Sequence, residues 1–207
     1  MPSPKHVARA TIARLPKYLA FLEGLDEQTS TVSSQQLATG AAVKDAIVRR
    51  DMSDLGITGT RGVGYAVDDL RKRLHGELGS AQERAVVIVG AGHLGHALAN
   101  YDGFGAAGFR LAGVYDVRPE RIGMEFETIT VSDAADLERD IAEHEVSMAI
   151  VTVPAVAAQA VVDRLIDAGI RSILSFAPTT LRHPEDVDVR HVDLSTELQV
   201  LAYFNKR

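Results

Sequence analysis

From Thr11 to Leu25 the apolar residues Ile12, Leu15, Leu19 and Leu22 recur every three to four positions, which marks one helical stripe, and Pro16 is expected in or near a first turn. Val32-Ser33-Ser34 supplies an N-cap for a short helix over 35–39 that Gly40 is expected to end. A second short helix is predicted from Lys44 to Leu55, with Val43, Ile47 and Val48 inward and Arg49 and Arg50 partly outward. The run from Gly56 to Tyr65 is too rich in glycine for a helix and reads as a hairpin. Helix, helix, hairpin is the order of a winged helix. A further helix is predicted over 67–78, and residues 79–83 read as a linker.

Beyond the linker the period changes. Ala85 to Val89 is a continuous apolar run, as expected of a strand buried on both faces, and similar runs recur at Leu111 to Tyr115, Met148 to Val153 and Ile170 to Leu174. Helical patterns lie between them at Leu94 to Tyr101, Asp133 to His144 and Ala155 to Ala168. Strands alternating with helices predict an α/β fold, a Rossmann-like doubly wound parallel sheet. The segment from Asp193 to Phe204 returns to a helical period, with Leu194, Leu198 and Leu201 on one face. The expected organisation is a winged-helix domain over residues 1–79, a dinucleotide-binding domain over 80–192 and a C-terminal helix over 193–207.

The 207 residues, 46% hydrophobic, 24% charged and 5% aromatic, have the composition of a globular protein with room for two domains. The absence of cysteine excludes disulfides, Cys-ligated zinc, iron–sulfur clusters and thiol chemistry, so any redox role must rest on a bound cofactor. The N-terminus lacks a long apolar core and no stretch reaches the ~18 apolar residues of a membrane span, so a cytoplasmic protein is expected. The formal net charge of -6 hides an asymmetry, since residues 1–79 carry +2 and residues 80–207 carry -8. The first part tolerates an anionic partner; the second repels DNA.

Gly90-Ala91-Gly92-His93-Leu94-Gly95 fits the pattern GxGxxG directly after a predicted strand and at the start of a predicted helix, where a dinucleotide pyrophosphate binds. Asp116 ends the next strand, 24 residues beyond Gly92, where an acidic side chain meets the adenosine ribose. That placement favours NAD over NADP, with Arg118 and Arg121 close enough to blunt the preference. Val153 and Pro154 close one strand and Phe176 follows another, at sheet edges that line a cofactor crevice or, for Phe176, simply add to the core. No catalytic acid or base and no substrate domain is visible. His93 and His96 form an i,i+3 pair without a third ligand, so no metal site is expected. In the N-terminal part Lys44, Arg49 and Arg50 fall on the second helix, and Arg61 with Gly62 falls at the hairpin tip. Such cations suit phosphate and base contacts, whereas Asp45, Asp51 and Asp54 oppose them by charge and leave an ordinary solvated face as the alternative.

The segments ATIARLPKYL, VSS with RRDMS, and GTRGVGY, followed by GAGHLGHALANYDGF, TVPAVAAQ, ILSFAP and VDLSTELQVLAYF, resemble the Rex family of redox-sensing transcriptional repressors over nearly the whole chain. The resemblance implies a homodimer with an exchanged C-terminal helix, which binds operator DNA with NAD and releases it with NADH. It assigns Arg49 and Arg50 to the DNA-reading helix, Arg61 to the wing, and Gly90, Gly92, Gly95 and Asp116 to the dinucleotide site. Tyr101 and Asp193 would make the polar contacts that respond to the nicotinamide. The chain departs from the family pattern before Val43, where Gly40 precedes Ala41-Ala42 in place of a glycine next to the valine. It also departs at Asp54 for an aromatic, Ala66 for Asp and Ser175 for Asn. Two other classes fit the same residues: a small NAD-dependent oxidoreductase, and a dinucleotide- or CoA-binding regulator without DNA contacts.

Overall fold

The computed structural model describes residues 7–79, 82–127 and 129–205. The chain divides into two compact units, residues 1–82 and 83–207. Ser80 and Ala81 of the expected linker, and residues 1–6 of the N-terminus, lie outside the described residues.

The first unit opens with α1 (Arg9–Ile12) and α2 (Leu15–Glu23), with Pro16 in the first turn of α2. The stripe expected to be one helix is divided, because a proline ring clashes with the carbonyl four residues back, here that of Ile12. Ile12 is exposed as a result, and Thr11 is buried in its place. After β1 (Thr31–Val32), Ser33 caps α3 (Ser34–Gly40) in a reciprocal box: its Oγ accepts the Gln36 N–H at 3.2 Å, and Gln36 Oε1 accepts the Ser33 N–H at 2.8 Å. Gly40 ends the helix as expected, though without taking the left-handed conformation. It is the last helical residue, and a Cβ there would stand 2.0 Å from the Phe21 ring, so packing demands the glycine. The chain turns two residues later at Ala42, whose φ is +54°.

Next come α4 (Asp45–Asp54), β2 (Tyr65–Ala66) and α5 (Val67–Leu78). The hairpin is tighter than the sequence pattern implies: Thr60 bridges Gly64 around a three-residue tip, and β2 pairs antiparallel with β1. Leu15, Tyr18, Leu22, Leu37, Val48, Met52, Leu70 and Leu74 meet in one core, which fixes α4 against α2 and α3.

The second unit is built on a seven-stranded sheet. Its strands are β3 (Arg84–Val89), β4 (Phe109–Asp116), β5 (Glu125–Phe126), β6 (Ile129–Asp133), β7 (Met148–Val151), β8 (Ser172–Ser175) and β9 (Asp188–His191). The spatial order is β5-β6-β4-β3-β7-β8-β9, parallel throughout except for the β5–β6 pair. Without β5 this is the doubly wound order 3-2-1-4-5-6, whose switch point lies between β3 and β7. Helices α6 (His93–Ala99), α7 (Gly103–Ala106), α8 (Leu137–Glu143) and α9 (Ala155–Asp167) fill the crossovers. The buried run of β3 feeds two cores, with Val87 and Val89 packed among residues of α8 and α9, and Val86 and Ile88 on the side of α6 and α7. Last is α10 (Leu194–Phe204), every described residue of which is exposed in the single chain.

Candidate functional site

The glycine loop leaves β3 at the switch point. Gly90 turns the chain at φ +109°, and a Cβ on Gly95 would stand 1.9 Å from the Gly90 carbonyl oxygen, so strand and helix approach only because both side chains are missing. Thr152, which follows β7, fastens the loop from the other side of the switch point: its Oγ donates to the Gly90 carbonyl at 2.7 Å, with the Val89 carbonyl at 3.2 Å. The periodic pattern gave no reason to single out this residue, because a threonine after an apolar run has no signature of its own.

Asp116 ends β4 beside the same loop and is almost wholly buried. Its Oδ2 accepts the Ala91 N–H at 2.8 Å and Arg121 Nη1 at 3.0 Å, while Oδ1 accepts the Arg118 N–H at 3.0 Å. Burial alone would raise its pKa, but the Arg118 amide, the Arg121 guanidinium and the Ala91 amide outweigh it and hold the carboxyl below the usual range. Arg121 reaches on to the loop, its Nη atoms 3.5 and 3.9 Å from where a Gly92 Cβ would be. Otherwise Gly92 is open to an approaching ligand, as a phosphate-bearing group requires.

His93 and Leu94 are exposed at the start of α6, where Gly95 is buried. Val153 is half-buried after β7, and Pro154 is the N-cap of α9. Phe176 is half-buried against the core, its N–H donating to the Val151 carbonyl at 2.9 Å. Ser175, buried, accepts the Ala177 N–H at 3.2 Å. His96 packs edge-on against Phe126, ring centroids 4.4 Å apart. Among the described residues no group of three His, Asp or Glu could hold a metal ion, and no helix is long and apolar enough to cross a membrane.

In the first unit Lys44 is the N-cap of α4, and Arg49, Arg50, Arg61 and Gly62 are exposed. Arg49 is ion-paired with Asp45 one turn earlier, and burial pushes the Tyr65 hydroxyl at the base of the wing above its ordinary range, with Arg49 lowering and Asp45 raising it. Asp51 corrects the expectation that it opposes DNA by charge. Its side chain is buried on the inner face of α4, accepting from Thr11 Oγ at 3.0 Å, Tyr18 Oη at 2.7 Å, and both Nε and Nη2 of Arg14 at 2.6 Å. Burial would raise its pKa; the bonds from Arg14, Tyr18 and Thr11 reverse that and lower it. The α4 surface is therefore less acidic than a count of its residues suggests.

Tyr101 is exposed beyond α6, with its ring edge-on to Phe104 at 5.2 Å. Asp193 caps α10, accepting from the Ser195 N–H at 2.9 Å, Ser195 Oγ at 2.6 Å and Thr196 Oγ at 2.9 Å. Those bonds hold its carboxyl below the usual range.

A winged-helix unit joined in one chain to a doubly wound nucleotide-binding unit defines a ligand-responsive DNA-binding regulator. Residues 6–53 match the family model described as "Putative DNA-binding protein N-terminus", and residues 81–179 match the model of the CoA binding domain. The chain is 51% identical to the redox-sensing transcriptional repressor Rex of Streptomyces griseus subsp. griseus, over 97% of this chain and 80% of that protein. A crystal structure of RSP, a Rex-family repressor, in complex with β-NAD+ and operator DNA matches with a TM-score of 0.90 and 35% identity, over 98% of this chain and 94% of that one. The same repressor with β-NADH matches with a TM-score of 0.86 and 34% identity, over 98% and 95%. The chain belongs to the Rex family of redox-sensing transcriptional repressors.

Proposed function

We propose that this chain is a transcriptional repressor that binds operator DNA through its first unit and NAD or NADH through its second, and that NADH releases it from DNA. The observation that carries this reading is the likeness, over nearly the full length, to a repressor whose structure holds both NAD+ and operator DNA. In this reading Lys44, Arg49 and Arg50 meet the major groove, and Arg61 with Gly62 enters the minor groove. The loop from Gly90 to Gly95, including Ala91, Gly92, His93 and Leu94, holds the dinucleotide together with Asp116, Val153, Pro154 and Phe176. The nicotinamide, when bound, supplies the redox information; the chain's own residues bind, orient and respond to it.

The working species is a homodimer in which α10 is exchanged, since Leu194, Leu198 and Leu201 present an apolar stripe that the single chain leaves open. Exchange would also carry Asp193 toward the partner and toward Tyr101. A cytoplasmic location follows from work on operator DNA. A coupling of ~1–3 kcal/mol between the two ligands changes DNA affinity about 5- to 150-fold. Titration of operator duplex with saturating NAD+ and then NADH tests the reading. NADH is expected to weaken binding within that range, and equal affinities in the two states would overturn it.

A further inference from the structure

Asp45 stands at the first position of α4, among the cations of the proposed DNA surface. Its charge alone would oppose an anionic partner, but its geometry does something else. Asp45 Oδ2 accepts from Arg49 Nη2 one turn on, with the Arg49 side chain 64% exposed and that of Asp45 34% exposed. An acid one turn N-terminal to a base is the favoured order on a helix, and the partial positive charge of a helix start favours the acid there, so the pair is formed before DNA arrives. Asp45 Oδ1 is buried and takes no hydrogen bond from the described residues, so one oxygen holds Arg49 and the other is shut off from a base. A guanidinium has two edges that each present a pair of N–H groups, and a single bond to one Nη2 hydrogen leaves the other edge whole. Arg50, next along the helix, is exposed and has no ion pair among the described residues. A held cation and a free one thus stand side by side on α4.

We propose that Asp45 is a positioning residue for DNA recognition: it holds the Arg49 guanidinium by one nitrogen and aims the free edge at a fixed point in the groove. The inference rests on the reading of α4 as the DNA-facing helix and adds to it a residue whose sign of charge argues against that role. A long side chain that is already oriented loses less freedom on binding, and its paired N–H groups bond only where an acceptor meets them in register. The carboxylate therefore lowers affinity for all DNA by repulsion and raises the preference for one sequence over others. Two acceptors in DNA match the free edge, the O6 and N7 atoms of a guanine and a pair of phosphate oxygens.

The test measures binding of the full-length protein, with saturating NAD+, to a duplex that the parent chain selects from a randomised pool and to a scrambled duplex of the same composition. Asp45→Ala is expected to bind the scrambled duplex more tightly and to lower the selected-to-scrambled affinity ratio at least about fivefold, the low end of what one bidentate contact discriminates. Asp45→Glu, which keeps an acid one turn from Arg49, is expected to keep most of the ratio. In an Arg49→Ala background the Asp45→Ala change is expected to leave the ratio unmoved, because the two side chains act as one unit. Simple repulsion predicts instead that Asp45→Ala tightens both duplexes alike. That result, or an undiminished fall of the ratio in the Arg49→Ala background, overturns the proposal. Replacing the guanines of the selected duplex in turn by 7-deazaguanine, which lacks N7, separates the two acceptors. A position whose penalty shrinks in Asp45→Ala and vanishes in Arg49→Ala assigns the edge to a guanine, and the absence of such a position assigns it to phosphate. A parent chain that selects no sequence from the pool overturns the DNA-binding reading and this inference with it, whereas a selective parent with an unaltered ratio in Asp45→Ala overturns this inference alone.

Discussion

Ala42 is a small residue in an uncomfortable place. An L-residue with a Cβ in the left-handed region costs roughly 1–2 kcal/mol, and this one stands next to the valine that leads into α4, where the family pattern has glycine. Ala42→Gly is therefore expected to stabilise the first unit by about 1 kcal/mol after allowing for the extra chain entropy, as a rise in the urea midpoint at unchanged slope. Asp51 is the opposite case, a charge whose every partner is built in. Arg14→Ala removes its counter-ion and is expected to cost about 3 kcal/mol, the low end for a broken buried pair because the Arg14 side chain is a quarter exposed. Because the folded-state pKa of Asp51 is depressed, its contribution is complete above the ordinary carboxylate range near ~4 and disappears as pH falls through the lower, folded value. Denaturation from pH 7 to 3 should show a shallower acid loss for Asp51→Asn than for the parent, even though the variant is less stable at neutral pH.

Among the elements, α5 begins without a side-chain cap. Its N-cap is Ala66, and the amides of its first turn receive no side-chain oxygen from that position. Ala66→Asp, the residue of the family pattern, is expected to add about 1 kcal/mol, readable as a higher thermal midpoint. Which elements the sequence revealed follows from how each is buried. Strands β3, β4 and β7 are continuous apolar runs because both faces are covered, and they stand out. Strand β6 lies next to the edge and alternates, with Val131 buried and Thr130 and Asp133 exposed, so a search for unbroken apolar runs passes over it. Strand β9 is largely exposed and includes Asp188, Arg190 and His191. Strand β5 has two residues and owes its existence to pairing with β6. The break between α1 and α2 was written in Pro16, yet the apolar spacing ran across it.

At the scale of the whole molecule, the glycine loop and Asp116 could be read from spacing because a strand, a tight turn and a second strand end are linear features. Thr152 and the inward turn of Asp51 could not, since each depends on a contact between segments distant in sequence. The apolar face of α10 makes its own demand. Truncation before Asp193 is expected to lower the association state seen by sedimentation and to uncouple NADH from operator release; a truncated protein that stays dimeric and still responds would refute exchange. One consequence concerns the end of that helix. Asp193 is committed to the Ser195 and Thr196 groups that begin α10, so a new partner for its carboxylate must compete with the cap itself. Each change of cofactor state would then loosen or tighten the first turn, and hydrogen–deuterium exchange at the Ser195 amide would record it. In such an arrangement the terminus that fastens two subunits together also reports, by its own fraying, which form of the nicotinamide the cell holds in excess.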